Sequence, residues 1–540
     1  MKKNFKPTNP LVGALFTDLY ELTMAYGYWK AGIDQDHAVF DLFFRHCPFG
    51  GEFTVYAGLE ENLRLVSNFH FRKSDIEHLE QVAMPGLEPE FYKYLETLDF
   101  SGTKIYAPRE GTLVFPRIPL LRVEGPLVMG QILETAALNQ TNYPTLIATN
   151  AARMRLAAGP NKLMVEFGLR RSQGPDGGIS ASRYAYIGGF DGTSNVLAGQ
   201  LFGIPEKGTM AHSFAQAFTS LAKLKTPILK DKSGKEHDFV GLVLKIRNEL
   251  GFTQTNDGEL AAFIAYAQAF PNNFLALVDT YNTLESGVPN FICVATALSL
   301  LGYKPIGVRI DSGDLAKLSK QIRRAFETGG YSYGVDLFKQ SIFASNSINE
   351  KILRSLNEQE HEINGFGIGE NLVTCQAQPA LGGVYKLVEI NGRSRRKISE
   401  DTVQSKSAGK TTIPGRKTAY RLFGKNGKPL ADIMTGASEA APKAGEKTFC
   451  INPFDGNIRV HITPSKVLEL HELVWDKGKI AVNLPPLKEI RQYVSDQLAN
   501  MPAEHLRADN PTPYPVWVSQ KLYDTTRELL AKETPTREIN

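Results

Sequence analysis

The sequence has little cysteine and little tryptophan, with four and three of these residues among 540. Its cysteines, Cys47, Cys293, Cys375 and Cys450, form no CxxC pair and no zinc spacing with a histidine. This pattern argues against a disulfide framework and against a structural zinc site. Most of them lie in apolar or strand-like surroundings, so we expect buried, reduced thiols.

A strong net charge and a long apolar run are also absent. The net charge is +4, which argues against a general nucleic-acid binder but leaves room for local anion sites. The most apolar run, residues 291–301, is far too short to cross a bilayer. The N-terminal segment lacks the apolar core of a signal peptide. We therefore expect a cytosolic protein that binds neither nucleic acid nor membrane.

The length of the chain predicts more than one domain, because a single core rarely extends over 540 residues. Residues 1–150 and 385–480 are interpreted as one α+β domain built from both chain ends. Residues 151–384 are interpreted as an α/β barrel, and residues 481–540 as a C-terminal helical segment. The β-rich stretches TAYRLF, PLADIM and IRVHI are predicted to complete the sheet of the first domain.

Three local predictions apply to the first 156 residues. Thr17 and Asp18 are placed to cap a helix that ends at Gly32. The alternating stretch at residues 38–46 and the later EFTVYAG are predicted to pair as a hairpin. A long helix from about residue 130 to residue 156 is expected to break around Pro144.

Short apolar strands alternate with helical patterns between residue 162 and about residue 379. The strands LMVEFG, FLALVD, IGVRID, SIFASN and GFGIG each end in a polar or glycine turn. This alternation predicts βαβ units, a parallel sheet and, with so many repeats, a barrel. Such barrels keep their active site at the carboxyl ends of the strands, where the sequence places these polar or glycine residues: Asp279, Arg309, Asp311, Ser345, Asn346, Gly367 and Gly369.

The residues at these strand ends suggest chemistry, although a structural alternative stays open for the acids. Asp279 and Asp311 suit a sugar diol or a divalent metal bridged to phosphate, or they serve only as helix N-caps. Arg309, between apolar strand residues and an acid, suits a bidentate clamp on a carboxylate or stacking on an aromatic ring.

Residues 166–214 combine two adjacent arginines, several glycine turns and His212. Backbone N–H groups and arginine can cradle phosphate, while tight turns between barrel elements are the alternative. His212 follows a turn at Gly208 and Thr209 that is a candidate helix cap. A neutral imidazole can accept a phosphoryl group from ATP, although a lone histidine is more often structural.

Two further stretches suit anions. GFGIGENLVT is not a Walker A loop, but its glycine turn and Thr374 suit a phosphate monoester. Residues 393–417 are strongly basic and are either a solvated loop or a contact for phosphate or a partner.

Eight motifs occur in an order that is typical of one enzyme family: TDLYELTMAYGYWK, VEFGLRRSQGPDGG, GGFDGTSNVLAG, KGTMAHSF, LVDTYNTLESGVPN, GVRIDSGDL, FASNSINE and GFGIGENLVT. Together they closely resemble the nicotinate phosphoribosyltransferase family. The resemblance extends from residue 17 to about residue 374, continues loosely to the C-terminus and fits the animal-type length.

The resemblance implies a fold and an activity. The fold is α/β, an irregular type II phosphoribosyltransferase barrel joined to an α+β domain made from both chain ends, in a homodimer. The implied reaction condenses nicotinate with 5-phosphoribosyl 1-diphosphate (PRPP) to nicotinate mononucleotide and diphosphate. It is the first step of NAD synthesis from nicotinate, is coupled to ATP hydrolysis and uses Mg²⁺ or Mn²⁺.

The resemblance also implies residue roles. His212 would be the phosphorylated histidine, and Asp279 and Asp311 would hold ribose and the metal–diphosphate. The nicotinate ligands implied are Tyr20, Phe167, Arg170, Thr209 and Arg309. The residues implied for the 5′-phosphate are Ser345, Asn346, Gly367, Gly369 and Thr374. The 393–417 segment would contribute an arginine across the dimer.

Three alternatives stay open. A nicotinamide phosphoribosyltransferase carries an acidic residue where GFDGTSN has Ser194, and an acid there would repel a carboxylate; serine therefore favours nicotinate. A non-catalytic nucleotide-binding homologue is disfavoured by the intact His212, Arg309 and Asp311. The residues alone also allow an unrelated barrel enzyme that acts on a phosphorylated sugar.

Overall fold

The computed structural model describes residues 5–397 and 412–533, which fall into two compact units. Unit 1 is drawn from Met1–Asn150, Ile187–Gly189 and Ala377–Asn540, and unit 2 from Ala151–Tyr186 and Phe190–Gln376. The three-domain division suggested by the sequence stays a prediction. No helix among the described residues has the length and hydropathy needed to cross a bilayer.

The strands lie in both units and are numbered in chain order. They are β1 His37–Phe43, β2 Thr54–Val55, β3 Lys104–Ala107, β4 Leu113–Val114, β5 Leu121–Pro126, β6 Leu163–Glu166, β7 Gly192–Thr193, β8 Ile228–Lys230, β9 Glu236–Asp238, β10 Leu275–Leu277, β11 Gly307–Ile310, β12 Ser341–Ala344, β13 Gly365–Ile368, β14 Val384–Ile390, β15 Arg393–Ser394, β16 Lys417–Phe423, β17 Pro429–Gly436, β18 Thr448–Ile451, β19 Arg459–Ile462, β20 Lys466–Glu469, β21 Glu472–Asp476, β22 Lys479–Ile480 and β23 Val516–Val518.

The α-helices are numbered in the same way. They are α1 Leu19–Ala31, α2 Leu59–Asn68, α3 Lys73–His78, α4 Pro89–Glu96, α5 Leu127–Ile132, α6 Glu134–Ala158, α7 Gly174–Ile187, α8 Val196–Phe202, α9 His212–Gln216, α10 Phe239–Glu249, α11 Asp257–Ala269, α12 Val288–Leu300, α13 Leu315–Gly329, α14 Glu350–Glu358, α15 Glu370–Val373, α16 Leu487–Asn500, α17 Ala503–Leu506 and α18 Gln520–Glu533.

Unit 1 contains a seven-stranded antiparallel sheet and a second, six-stranded sheet. The first has the order β15-β14-β1-β5-β3-β21-β22, and the second the order β19-β18-β23-β17-β16-β20. The prediction that TAYRLF, PLADIM and IRVHI complete the first sheet is therefore wrong. Those strands instead build their own core, around Tyr420, Leu422, Ile433 and Cys450.

The predicted hairpin between residues 38–46 and EFTVYAG is also wrong. β1 pairs with β14 on one side and with β5 on the other, while β2 pairs with β4. Six of the seven residues of β1 are buried, which makes it a central strand. A central strand needs two long partners, and the short β2 cannot supply one.

The helices near the N-terminus agree with the sequence in part. Helix α1 ends at Gly32, whose φ of 67° is the left-handed conformation expected of a glycine at the end of a helix. Asp18 holds the N-cap position, but its carboxylate accepts a bond from Thr135 Oγ1 at 2.8 Å instead of capping the helix.

The helix break predicted at Pro144 lies elsewhere. Helix α6 runs through Pro144, and the interruption falls at Leu133, between α5 and α6. A proline leaves the carbonyl four residues earlier without its helical partner. Gly58 packs against that carbonyl, since a Cβ at Gly58 would lie 1.9 Å from Gln140 O.

Unit 2 is built on a six-stranded sheet with the order β10-β11-β12-β13-β6-β7, and every pair in it is parallel. The five strands predicted from apolar runs all occur, and β7, a two-residue strand of Gly192 and Thr193, is additional. The most apolar run of the chain forms α12, which is buried from Val288 to Leu298. It is a core helix of unit 2.

Candidate active site

Parallel strands place their carboxyl ends at the same edge of the unit 2 sheet, and five of the predicted site residues of this unit follow those ends. Asp279 follows β10 after one residue, while Asp311 and Ser345 directly follow β11 and β12. Phe167 and Ser194 directly follow β6 and β7. The sequence thus places two acids, two serines and an aromatic ring along one edge.

Asp279, Asp311 and Ser345 are connected by hydrogen bonds. Asp279 Oδ2 accepts from the Asp311 backbone N–H at 2.7 Å and from Ser312 Oγ at 2.6 Å. Ser345 Oγ donates to Asp311 Oδ1. The side chain of Asp279 is 2% exposed, and that of Asp311 is 33% exposed. The edge therefore holds one deep carboxylate and one accessible carboxylate.

The interpretation of these acids as helix N-caps is wrong. The N-cap of α12 is Gly287, and that of α13 is Asp314, which accepts from the Lys317 N–H. Asp279 Oδ1 is buried and has no hydrogen-bond partner among the described residues. A buried carboxylate oxygen without a donor is costly, so this atom suits a ligand hydroxyl or a cation.

His212 begins α9 and faces both acids. Its Nδ1 lies 3.2 Å from Thr280 Oγ1, and its Nε2 lies 3.9 Å from Asp279 Oδ1 and from Asp311 Oδ2. The imidazole is 38% exposed. It is thus oriented by a hydroxyl and remains accessible to a second molecule.

The guanidinium of Arg309 is held by the segment that precedes His212. It donates from Nη1 to Thr209 Oγ1 at 2.9 Å and from Nη2 to Met210 O at 3.0 Å. Burial lowers the pKa of Arg309, and the charges of Asp311 and Asp279 oppose this effect. Its Nε has no partner among the described residues. Thr209 is not a helix cap, since α9 begins after Ala211.

Phe167 lies between Arg309 and Gly367. Its ring centroid is 6.0 Å from the Arg309 guanidinium carbon, within cation–π range. A Cβ at Gly367 would lie 2.3 Å from the ring, and one at Gly369 would lie 3.1 Å from Phe167 O. These glycines therefore make room for Phe167, a role that the sequence alone did not indicate.

One of the predicted 5′-phosphate residues, Asn346, lies in an unusual stretch of backbone. Asn346 and Ser347 have φ values of 94° and 50°, which non-glycine residues adopt only when the surroundings impose them. Thr374 Oγ1 donates to Glu370 O at 2.8 Å, within α15. Such strained turns often occur at ligand sites.

Ser194 is exposed, and its backbone is held by the backbone carbonyl of Glu166, a buried acid that sequence analysis missed. Its N–H donates to Glu166 O at 2.9 Å. The Glu166 side chain accepts from Thr193 Oγ1 at 2.6 Å, from Ser182 Oγ at 2.8 Å and from the Gly168 N–H. The only available signal was an acid at the last position of an apolar strand.

Tyr20 and the 393–417 segment belong to unit 1. Tyr20, on α1, is 45% exposed, and burial raises its pKa to about 12. Residues 398–411 lie outside the part of the chain that the structure describes. Arg170, in unit 2, is exposed, and its charge contributes to lowering the pKa of Arg309.

Unit 1 also contains a cationic group that the sequence did not reveal. Burial and the charge of Arg45 lower the pKa of Arg117 to about 10. Burial lowers the pKa of Lys386, and Arg45 contributes to this shift as well. The charge of Arg45 thus acts on both Arg117 and Lys386, and neighbouring cations of this kind form a positive region suited to anions.

The described residues contain no cluster of three or more His, Cys, Asp or Glu arranged to hold a metal. Mg²⁺ is usually held by one or two carboxylates together with substrate phosphates. Asp279 and Asp311 fit that arrangement. The four cysteines are free, which confirms the expectation of thiols, and burial raises the pKa of Cys293 and Cys450 to about 12.

The parallel sheet, with acids, an arginine and a histidine near its edge, agrees with the type II phosphoribosyltransferase class that the motifs predict. Three adjoining family profiles match: the nicotinate phosphoribosyltransferase N-terminal domain at residues 15–142, the family itself at residues 163–422 and the C-terminal domain at residues 416–526. The chain belongs to the nicotinate phosphoribosyltransferase family. It is an enzyme, and the family predicted from its motifs is confirmed.

Individual relatives agree with the profiles. The chain is 52% identical to nicotinate phosphoribosyltransferase of Dictyostelium discoideum, over 100% of this chain and 92% of that protein. It is 43% identical to the Homo sapiens protein of the same name, over 96% and 97%. The crystal structure of human nicotinic acid phosphoribosyltransferase superimposes with a TM-score of 0.84 at 41% identity, covering 95% of this chain and 100% of that one. The predicted fold class is thereby confirmed.

Proposed function

We propose that this enzyme condenses nicotinate with PRPP to nicotinate mononucleotide and diphosphate, coupled to ATP hydrolysis through a phosphorylated His212. The observation that carries the proposal is the proximity of His212 to Asp279 and Asp311, at 3.9 Å from each, at one sheet edge. His212 is the proposed phosphoryl acceptor, and the two carboxylates suit ribose and metal–diphosphate. The group that would react with ATP therefore lies next to the groups that would bind PRPP.

Nicotinate is assigned to Arg309 and Phe167. The buried guanidinium, whose Nε–H has no partner among the described residues, can donate to a carboxylate, which replaces the solvation lost on burial. The nearby ring of Phe167 offers a face for the pyridine. In this assignment Thr209 and Met210 orient the guanidinium, and Arg170 completes the set within unit 2. Exposed Ser194 adds no negative charge that would repel the carboxylate.

PRPP is assigned to the acids and to the strained turn. Asp279 Oδ1 and Asp311 would accept hydrogen bonds from ribose hydroxyls. Alternatively, they would hold Mg²⁺ or Mn²⁺ together with the diphosphate. When bound, the cation neutralises charge that develops on the leaving diphosphate. The carboxylates orient the ribose as its C1 becomes positive. Ser345, Asn346, Gly367, Gly369 and Thr374 are assigned to the 5′-phosphate.

The coupling step is assigned to His212. A ring nitrogen attacks the γ-phosphorus of ATP, the N–P bond forms, and the bond to the departing ADP oxygen breaks. The phosphoryl group brings about −1.5 to −2 charges, by analogy with other phospho-residues. Next to Asp279 and Asp311, this added negative charge would favour the binding of a cation together with its diphosphate. Hydrolysis of phosphohistidine then resets the enzyme.

The test is formation of nicotinate mononucleotide from nicotinate and PRPP, with and without ATP. His212→Ala should abolish stimulation by ATP while slow ATP-independent synthesis persists. His237→Ala is the matched control, because His237 binds Asp231 in a surface hairpin of the same unit. Normal ATP stimulation of the His212 variant would refute the phosphohistidine. Product from nicotinamide in place of nicotinate would refute the substrate assignment.

A cytosolic homodimer is also part of the proposal. Four free cysteines suit a reducing compartment. Sedimentation of the purified enzyme at micromolar concentration tests the dimer, and a monomer would refute it.

A further inference from the structure

Glu259, on α11, is fully buried behind the proposed ribose site and takes part in none of the steps described above. Its Oε2 accepts from Ser286 Oγ at 2.6 Å and from Asn290 Nδ2 at 3.1 Å. Its Oε1 has no partner among residues 5–397 and 412–533. Both donors are neutral, so no cation compensates a charge at this position.

Glu259 is connected to Asp279 through the turn that contains Ser286 and Gly287. Ser286 precedes Gly287, whose Cα packs directly on the strand end: a Cβ there would lie 1.9 Å from Val278 O. Val278 is the residue before Asp279. Ser286 also accepts the Asn256 N–H at 3.0 Å, which fixes the start of α11 to the same turn. Glu259 therefore anchors the turn against which the Asp279 backbone rests.

We propose that Glu259 is a positioning residue for Asp279: through its hydrogen bonds with Ser286 and Asn290 it holds the 283–287 turn against Val278 and thereby sets the Asp279 carboxylate for ribose and metal–diphosphate. This inference rests on the proposed role of Asp279. It names no new substrate contact, since Glu259 has no exposed surface.

The surroundings act on the pKa of Glu259 in both directions. A buried carboxylate that receives only neutral donors is costly. Burial raises the pKa of Glu259, the hydrogen bonds from Ser286 and Asn290 oppose this rise, and the negative charge of Asp279 adds to it. The positioning role itself rests on the hydrogen bonds and not on the charge of Glu259.

The experiment compares Glu259→Gln, Glu259→Leu and Ser286→Ala in the full-length enzyme. The amide keeps an acceptor for Ser286 without charge, so E259Q should leave the PRPP KM within about twofold. E259L and S286A should raise the PRPP KM by about tenfold while the nicotinate KM stays unchanged. Ser319→Ala is the control, because Ser319 is a fully buried, hydrogen-bonded serine on α13 of the same unit. It should lower the melting temperature without changing the PRPP KM.

A double-mutant cycle with Asp279→Asn separates the inference from the function on which it rests. In the D279N background, E259L should add little to the PRPP KM, because residues that act together are not additive. If D279N itself leaves the PRPP KM unchanged, the proposed role of Asp279 fails. If D279N raises it and S286A does not, or if E259Q is as defective as S286A, the inference about Glu259 is wrong. S286A keeps the test decisive should E259L not fold.

Discussion

Arg309 donates to Thr209 Oγ1 at 2.9 Å, across a separation of 100 residues in the sequence. The bond ties the end of β11 to the segment that leads into His212. Arg309 is assigned to nicotinate and His212 to ATP. The Arg309–Thr209 hydrogen bond therefore connects the two proposed sites. Changes at Arg309 should therefore affect nicotinate binding first and ATP coupling second.

Arg309→Lys should raise the nicotinate KM by roughly 10- to 100-fold, since hydrogen bonds to charged groups contribute about 1.5–3 kcal/mol. Lysine keeps the charge but loses the planar fork that reaches Thr209 and Met210. Steady-state kinetics with nicotinate varied at saturating PRPP measure the effect. Arg171→Lys, in an exposed ion pair with Glu370 at 3.0 Å, is the control and should change neither KM. An unchanged nicotinate KM in R309K would contradict the assignment.

Ser194→Asp should shift the preference of the enzyme from nicotinate toward nicotinamide. The new carboxylate would repel the nicotinate carboxylate and accept from an amide NH₂. The ratio of kcat/KM for the two substrates should fall at least about tenfold. Gln200→Asp, which adds the same charge at an exposed position of α8, should leave the ratio unchanged. Equal ratios in the two variants would show that Ser194 does not select the substrate.

Gly367→Ala should displace the Phe167 ring, because the added Cβ would lie 2.3 Å from it. Overpacking of this kind costs about 1–3 kcal/mol. The variant should show a lower melting temperature and a higher nicotinate KM. Gly27→Ala is the comparison, since a Cβ there meets nothing within 4 Å inside α1 and should be neutral or stabilising by about 0.5–1 kcal/mol. Normal nicotinate kinetics in the G367A enzyme would show that Gly367 does not affect nicotinate binding through the position of the Phe167 ring.

Unit 1 should lose stability when the pH falls below 6.5. Burial lowers the pKa of His471 from 6.5 to about 3, and the neutral ring accepts from the Ala419 N–H and donates to Pro119 O. Since the folded-state pKa lies below the unfolded one, the stabilisation is complete above pH 6.5 and is lost as the pH falls toward 3. The slope is at most about 1.4 kcal/mol per pH unit for one proton.

Tryptophan fluorescence measures this effect selectively, because Trp29, Trp475 and Trp517, the three tryptophans of the chain, all belong to unit 1. Urea unfolding at pH 7 and pH 5 gives the slope for the wild type. His471→Gln, whose side chain does not titrate, should show a shallower slope. Identical slopes would assign the acid sensitivity to other groups.

The unit 2 sheet could be predicted from the sequence, because each strand carries a local signal: a short apolar run followed by a polar or glycine turn. The placement of Asp279 and Asp311 at one edge then follows from parallel pairing. The partners of β1 could not be predicted in the same way, since β14 lies more than 340 residues away and alternation specifies a face, not a neighbour.

Some of the candidate site also lay beyond sequence reasoning. In the sequence Glu259 looks like any surface acid, and Glu166 is marked only by its place at the end of an apolar strand; the folded chain shows that both are buried. The sequence assigns Gly367 to phosphate binding, but in the structure its nearest neighbour is the Phe167 ring. Such roles depend on which elements meet, and no local pattern of residues contains that information.

The pairing of β1 with β14 also has a consequence for synthesis on the ribosome. Residues 37–43 emerge early, yet their central position in the sheet requires residues 384–390. Unit 2, drawn entirely from the intervening residues, is synthesised between these two strands. Until β14 is made, β1 can pair only with β5, so one edge of an apolar central strand stays unpaired, and such unpaired edges are prone to aggregate. The yield of soluble enzyme should depend on elongation speed and chaperones more than its final stability suggests.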